Sequence, residues 1–186
     1  MTTVFLSGSR RISRLNQEIR GRLHNIIQQN FRIVVGDANG ADKALQQYLA
    51  DVSYPNVTVY CSGEICRNNI GNWESKRVLV GSQLKGREFY TQKDKKMADD
   101  ADYGFMLWDG KSAGTFSNVI ELLKRNKKAL VYLSPEKEFY SVSSLKDARE
   151  LLQKCDEKTA SVINNKIKLS GSLEELERAK QVSLSF

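Results

Sequence analysis

The sequence contains few of the residues that build metal centres, disulfide frameworks and histidine-based active sites. Its 186 residues include three cysteines and one histidine. Because the number of cysteines is odd and no CxxC motif occurs, the sequence predicts neither a disulfide framework nor a zinc site. The histidine, His24, falls within a helical stretch beside apolar residues, which argues against a Ser-His-Asp triad. We therefore expect no metal site and no cofactor.

Long apolar runs and the common nucleotide-binding fingerprints are also missing. The apolar run at residues 3–6 is too short for a signal peptide or a membrane span, so we expect a cytoplasmic protein with no membrane partner. The motifs GxGxxG and GxxxxGK[ST] do not occur. Their absence excludes a standard nicotinamide dinucleotide site and a Walker P-loop from the prediction.

The composition indicates a globular domain with a basic balance of charge. Hydrophobic residues make up 40% of the chain, which is enough to build one core. The formal net charge is +7. A positive charge favours an anionic partner such as a phosphorylated metabolite or a nucleic acid, although a solvated basic surface explains it equally well.

Short apolar strands alternate with helical patterns along most of the chain. Strands are predicted at residues 3–6, 32–35, 57–60, 103–108 and 128–133, with helices between them. This order predicts an α/β fold, a Rossmann-like three-layer sandwich with a mostly parallel sheet of about five strands, plus C-terminal helices at 144–154 and 172–180. We expect a nucleotide-binding core at 1–135 and a helical extension at 136–186, packed on the core or on a partner subunit. The irregular stretch 61–89 is either a lid or a surface insert.

Three turns follow predicted strands and contain glycine with polar side chains. They are Ser7–Arg10, Gly36–Asp42 and Asp109–Thr115. Ligands of open parallel sheets bind beyond the carboxyl ends of the strands, and glycine and helix N-termini suit a phosphate there. Hydroxyls and Arg10 are expected to bind phosphate, and the aspartates to accept hydrogen bonds from ribose hydroxyls. Trp108 either stacks on a base or fills the core. The candidate ligand residues from these turns are Ser7, Gly8, Ser9, Arg10, Gly36, Asp37, Ala38, Asn39, Gly40, Asp42, Trp108, Asp109, Gly110, Ser112, Gly114 and Thr115.

Three segments together are similar to one known group of proteins. The first strand followed by GSR, then VVGDANGAD and ADYGFMLWDGKSAGT, resembles the SLOG superfamily, which includes LOG-type nucleoside-monophosphate phosphoribohydrolases and the DNA-processing protein DprA. The resemblance covers about residues 3–134 and is closest to small stand-alone members with a WDGxSxGT loop. It implies a Rossmann-like fold, a phosphate-binding loop and a homo-oligomer.

The LOG-type enzymes have a PGGxGTxxE loop, and the corresponding loop here differs at the position that matters for catalysis. Gly114 and Thr115 match the loop, but Asn118 stands where those enzymes have their glutamate. Glu121 lies one helical turn further on and is a candidate substitute. The resemblance therefore adds Asn118 as a ligand residue and Glu121 as a candidate catalytic residue.

The preceding helix differs from the same enzymes in a similar way. Their Arg-Lys pair ahead of a methionine corresponds to Lys93 and Asp94 ahead of Met97. This correspondence adds Lys93 as a ligand residue and Asp94 as a second candidate catalytic residue. Both departures favour binding over LOG-type hydrolysis.

Three functions remain open at this point. The first is binding of a nucleotide or a nucleotide-derived phosphorylated ligand at the carboxyl edge of the sheet. The second is an enzyme that acts on a nucleotide, as an N-glycosidase, phosphoribohydrolase or deoxyribosyltransferase, since a carboxylate can stabilise an oxocarbenium-like centre. The third is binding of single-stranded nucleic acid, although aromatic and basic residues are not regularly interleaved.

Overall fold

A seven-stranded sheet forms the middle layer of the protein. The structure, a computed structural model, describes residues 1–79, 81, 83–84, 86–167 and 171. The strands run in the spatial order β4-β3-β2-β1-β5-β6-β7. All neighbours are parallel except β7, which pairs antiparallel with β6. The Rossmann-like α/β prediction is confirmed, with a sheet larger than the expected five strands.

Helices and strands alternate along the described chain from β1 to β6, apart from β3 and β4. The strands are β1 Thr3–Gly8, β2 Arg32–Gly36, β3 Val57–Ser62, β4 Glu74–Val78, β5 Tyr103–Trp108, β6 Lys128–Leu133 and β7 Glu138–Val142. The helices are α1 Gln17–Gln28, α2 Ala41–Asp51, α3 Gly86–Asp100, α4 Ala113–Leu123, α5 Leu145–Gln153 and α6 Glu157–Ile167. None of the described helices is long and apolar enough to cross a membrane.

Two apolar clusters cover the two faces of the sheet and produce the three layers. Helices α1 and α2 place Leu23 and Leu45 against one face, and α3 and α4 place Met97 and Phe116 against the other. Because successive side chains of a strand point to opposite faces, Phe5 belongs to one cluster, and Val4 and Leu6 on either side of it belong to the other. Strands buried on both faces are nearly all apolar, and this property made them visible in the sequence.

The structure adds elements that the sequence pattern did not reveal. Strand β4 lies within the stretch predicted as irregular, and β7 lies within the segment predicted as a helical extension. Both are edge strands, and β4 is largely exposed, so neither has the apolar pattern of a buried strand. Helix α6 was not predicted, and the helix predicted at 172–180 lies outside the described residues.

Two cysteines form a disulfide, contrary to the sequence-based expectation. Cys61 in β3 pairs with Cys66, with a Cα–Cα distance of 5.2 Å. The odd number of cysteines concealed this pair, because Cys155 remains free. The bridge closes a short loop directly before Arg67, a residue that reaches the candidate site described below.

The order of the strands determines where a crevice opens. The chain runs outward from β1 through β4 and then returns to place β5 on the other side of β1. The reversal lies between β1 and β5, where Gly8 is in register with Leu107. In open α/β sheets, the loops beyond such a reversal diverge and leave room for a ligand.

Candidate functional site

A cavity of about 570 Å³ opens at the carboxyl edge of the sheet. This volume falls within the range of small-molecule sites, roughly 300–1,000 Å³. The loops after β1 and β5 line it, together with the first turn of α4, one side of α3 and the start of α2. A larger hollow of about 920 Å³ lies at the opposite edge, around the first residues of β2, β3 and β4. We regard the carboxyl-edge cavity as the candidate site, because parallel sheets bind ligands there.

The N-terminus of α4 forms one wall of the cavity. Ser112 caps this helix, and its Oγ accepts hydrogen bonds from the Thr115 backbone N–H at 3.2 Å and the Thr115 hydroxyl at 3.0 Å. Ala113 and Gly114 occupy the first turn, where helical N–H groups have no partner within the helix. These groups and the positive end of the helix dipole favour an anion.

The loop before α4 is held by Asp109 and Trp108. Asp109 Oδ1 accepts hydrogen bonds from the backbone N–H groups of Lys111 at 3.1 Å and Ser112 at 2.8 Å. Trp108 is fully buried, packs against Phe116, and donates from its indole N–H to the Ser112 carbonyl at 3.0 Å. Of its two predicted roles, the structure places Trp108 in the core, where it supports this loop from beneath.

The loop after β1 approaches its neighbours closely. A Cβ at Gly8 would lie 2.6 Å from both the Leu107 carbonyl oxygen and Ala41 Cβ. The Ala41 N–H donates to the Ser9 carbonyl at 3.1 Å, so the start of α2 packs directly on this loop. Gly40 has a φ of +84° and faces the backbone of Arg10, which leaves no space for a side chain. Glycine is thus required for both close approaches.

An ion pair joins the cavity wall to the interior, because Arg67 lines the cavity and its partner Asp37 is buried behind it. Asp37, which is 1% exposed, accepts hydrogen bonds from the Arg67 Nη2 at 2.6 Å, its Nε at 3.1 Å and its backbone N–H at 3.0 Å. Burial opposes ionisation of Asp37, but the hydrogen bonds from Arg67 outweigh it and hold the pKa below its ordinary value. The Arg67 guanidinium also lies 4.5 Å from the ring centroid of Tyr90, a cavity residue.

Lys93 enters the same cluster from α3. Its ammonium group is buried and lies 3.0 Å from Asp94 Oδ1, 3.8 Å from Asp37 Oδ1 and 4.0 Å from Asp42 Oδ2. Burial alone would lower the pKa of Lys93, but Asp94, Asp42 and Asp37 together raise it. The lysine therefore stays charged and faces three carboxylates, of which Asp42 and Asp94 line the cavity.

Asp42 differs from the other two carboxylates in the cluster. Its Oδ2 accepts a hydrogen bond from the Ala38 N–H at 3.2 Å, while its Oδ1 is buried without a hydrogen-bond partner among the described residues. Burial raises the pKa of Asp42 to about 6, and the charge of Lys93 opposes that rise only in part. Asp42 lines the cavity.

Asn118, the position at which the resemblance to LOG-type enzymes leads us to expect a glutamate, has a neutral side chain. Asn118 is buried, and its Nδ2 donates to Ser7 Oγ at 3.0 Å. The candidate substitute, Glu121, does not line the cavity and is bound by Arg125 Nη1 at 2.7 Å, with Lys124 Nζ at 3.8 Å. The second candidate, Asp94, does line the cavity and pairs with Lys93.

Most of the residues that the sequence predicted as ligand-binding line one cavity. They are Ser7, Gly8, Ser9, Arg10, Ala38, Asp42, Lys93, Asp109, Ser112, Gly114, Thr115 and Asn118. The others do not appear in its wall: Gly36, Asp37, Asn39, Gly40, Trp108 and Gly110. Asn39 Oδ1 instead accepts a hydrogen bond from Asn68 at 3.0 Å, and the Gly110 carbonyl accepts one from the Cys155 thiol at 2.9 Å.

Several cavity residues were missed in the sequence. Arg11 adjoins one predicted turn and Lys111 lies within another, whereas Arg67 comes from the irregular stretch 61–89 and Tyr90 begins the helix predicted after it. Arg67 is brought into place by long-range hydrogen bonds to Asp37, thirty residues away. A local pattern does not reveal such a contact; the charge of the buried Asp37 was the available signal, because a buried carboxylate needs a partner.

The chain matches no known family model and no curated protein sequence. Among solved structures, it is similar to one described as "Structural insights into the unique single-stranded DNA binding mode of DNA processing protein A from Helicobacter pylori". The two share 16% sequence identity with a TM-score of 0.55, over 90% of this chain and 80% of that chain. At this identity, the likeness shows a common fold, the Rossmann-like fold of DNA processing protein A.

Proposed function

We propose that the carboxyl-edge cavity binds the phosphate of a nucleotide or nucleotide-derived ligand. The observation that carries this proposal is the convergence of the first turn of α4, the Ser7–Arg10 loop and the start of α2 on one cavity of about 570 Å³. A phosphate at the α4 N-terminus would accept hydrogen bonds from Gly114 and Ala113. The hydroxyl of Ser112 already caps this helix and shapes the cradle.

Exposed basic side chains around the cavity give its rim a positive charge. Arg10 is exposed, lies 5.7 Å from the Tyr90 ring centroid and lines the cavity. Arg11 is 72% exposed and only 3.6 Å from Asp109 Oδ2, and Lys111 is also exposed. A guanidinium held over an aromatic ring is well placed to form a bidentate contact with a phosphate.

Isothermal titration calorimetry with the four ribonucleoside 5′-monophosphates tests this proposal. We expect at least one to bind, and Arg10→Gln to weaken that binding by about 10- to 100-fold, because a hydrogen bond to a charged group contributes about 1.5–3 kcal/mol. Arg14→Gln is the matched control, since Arg14 is exposed and does not line the cavity. No binding by any of the four, or an equal loss in both variants, would contradict the proposal.

Single-stranded DNA is the second candidate ligand, and the structural neighbour favours it. The solved structure of DNA processing protein A from Helicobacter pylori is described by its single-stranded DNA binding mode, and this chain shares its fold with a net charge of +7. An oligonucleotide would place one backbone phosphate at α4, with Arg11 and Lys111 near the flanking phosphates. Such binding weakens steeply with salt, in proportion to the number of phosphates neutralised.

Competition separates the two candidates. A fluorescein-labelled dT oligonucleotide is titrated at two salt concentrations, with and without a ribonucleoside monophosphate. If DNA uses the cavity, we expect the mononucleotide to displace it and Arg10→Gln to weaken it. Binding that is insensitive to both changes would exclude the cavity as the DNA site, and absence of binding at low salt would exclude the DNA candidate.

A further inference from the structure

Asp42 presents a buried acceptor that the protein itself does not use. Its side chain is only 5% exposed and lines the cavity. One carboxylate oxygen accepts from the Ala38 N–H at 3.2 Å, and the other has no hydrogen-bond partner among the described residues. Buried polar atoms are almost always paired, so an unpaired one in a cavity wall points to a ligand donor.

The charges around Asp42 restrict the chemistry of that donor. Lys93 Nζ faces it at 4.0 Å from α3, and Asp94 on the same helix pairs with that ammonium. Asp37, on the loop between β2 and α2, is neutralised by Arg67 from the loop after β3. A phosphate would be repelled by the carboxylates of this cluster. A neutral hydroxyl donates a hydrogen bond to the free oxygen of Asp42 without adding charge to the cluster.

The position of Asp42 agrees with a sugar that follows a bound phosphate. Asp42 lies in the first turn of α2. The residue before it, Ala41, donates a hydrogen bond from its backbone N–H to the Ser9 carbonyl. Ser9 and Gly114 line the same cavity as Asp42, from the loop after β1 and from the start of α4. A nucleotide whose phosphate binds at α4 would therefore share this cavity with Asp42.

We propose that Asp42 accepts a hydrogen bond from a ribose hydroxyl, so that the cavity selects ribonucleotides over nucleotides that lack the vicinal hydroxyls. This assignment rests on the proposed function, since it names the sugar of the ligand whose phosphate α4 binds. Lys93 acts as a positioning residue that holds the carboxylate in place. The pKa of Asp42, raised by burial, agrees with a group whose charged form has no full set of partners.

Binding of matched ligand pairs tests the assignment on the intact protein. The affinities of the four ribonucleoside 5′-monophosphates are compared with those of their 2′,3′-dideoxy counterparts by calorimetry. We expect the ribonucleotide to bind about tenfold tighter or more, because a site built for a hydroxyl is left with an unpaired acceptor when the hydroxyl is absent. In Asp42→Ala we expect this preference to disappear. Asp51→Asn, an exposed carboxylate change on the same helix, should keep it.

Each outcome distinguishes the two proposals. If ribonucleotides and dideoxynucleotides bind wild-type protein equally, the sugar assignment is wrong while the proposed function stands. If the preference exists but survives in Asp42→Ala, a residue other than Asp42 reads the sugar and the assignment is wrong. If no nucleotide of either series binds, both proposals fail. The comparison of the two series needs only wild-type protein, so poor folding of the variant cannot hide the answer.

Discussion

Replacing Gly36 with alanine should disrupt the buried charge cluster that supports the cavity. Gly36 is the last residue of β2, and a Cβ there would overlap Asp42 Oδ2 and Lys93 Nζ. Its φ is not in the left-handed region, so the backbone accepts alanine and the cost is steric. Overpacking costs about 1–3 kcal/mol, and the loss rises to about 3–5 kcal/mol if Lys93 is displaced from its carboxylates.

Thermal and denaturant unfolding measure this loss. For a chain of this length a change of about 2 kcal/mol corresponds to a decrease in Tm of roughly 4–8 °C. Gly21→Ala is the matched control, because Gly21 lies within α1 with no atom within 4 Å of an added Cβ. Alanine should stabilise the helix there by about 0.5–1 kcal/mol. A Gly36→Ala protein as stable as wild type would refute the close packing described for this cluster, as would equal effects of the two substitutions.

Three further predictions concern residues at or beneath the site. Because burial raises the pKa of Asp42 from 3.8 to about 6, the folded state holds its proton to higher pH than the unfolded chain. Wild-type stability should therefore fall relative to Asp42→Asn by up to about 3 kcal/mol as the pH rises from about 4 to about 7, and a pH-independent difference in denaturant unfolding would contradict this. Trp108→Phe should destabilise the fold by about 1–2 kcal/mol, through loss of the hydrogen bond to the Ser112 carbonyl; unchanged stability in denaturant unfolding would contradict the supporting role of the indole. Reduction of the Cys61–Cys66 disulfide should lower stability by about 2 kcal/mol, whereas the double alanine variant should not respond to reductant.

The sequence predicted the elements that are buried on both faces of the sheet. Strands such as β1 and β5 are continuous apolar runs that end in glycine or a polar turn, and these features are local. Strand β4 was missed because its sequence ESKRV is polar and it lies at the sheet edge. Strand β7 was missed because one face of an antiparallel edge strand is exposed and its five residues resemble a loop.

The residues of the candidate site also fall into two groups: those that the local sequence predicted and those that depend on long-range contacts. The turns at Ser9 and Gly114 could be placed together, because parallel strands bring their carboxyl ends to one edge. The position of Trp108 at a strand end did not decide its role, because a tryptophan there can face either the cavity or the apolar core. In the structure it is part of the apolar core. Arg67 could not be found, since its place depends on a hydrogen-bonded pair with Asp37 across two elements. Whether the cavity residues bind a ligand stays a prediction, as does the expected homo-oligomer.

Backbone amide chemical shifts test the central claim most directly. A ¹⁵N-labelled sample is titrated with the ribonucleoside 5′-monophosphate that binds most tightly in calorimetry, with inorganic phosphate as a second ligand. If the phosphate binds at the α4 N-terminus, the largest shifts will fall on the amides of Ala113 and Gly114, and inorganic phosphate alone will also move them. Unchanged amides at these two residues, or the largest shifts around Trp73 at the opposite edge of the sheet, would contradict the account.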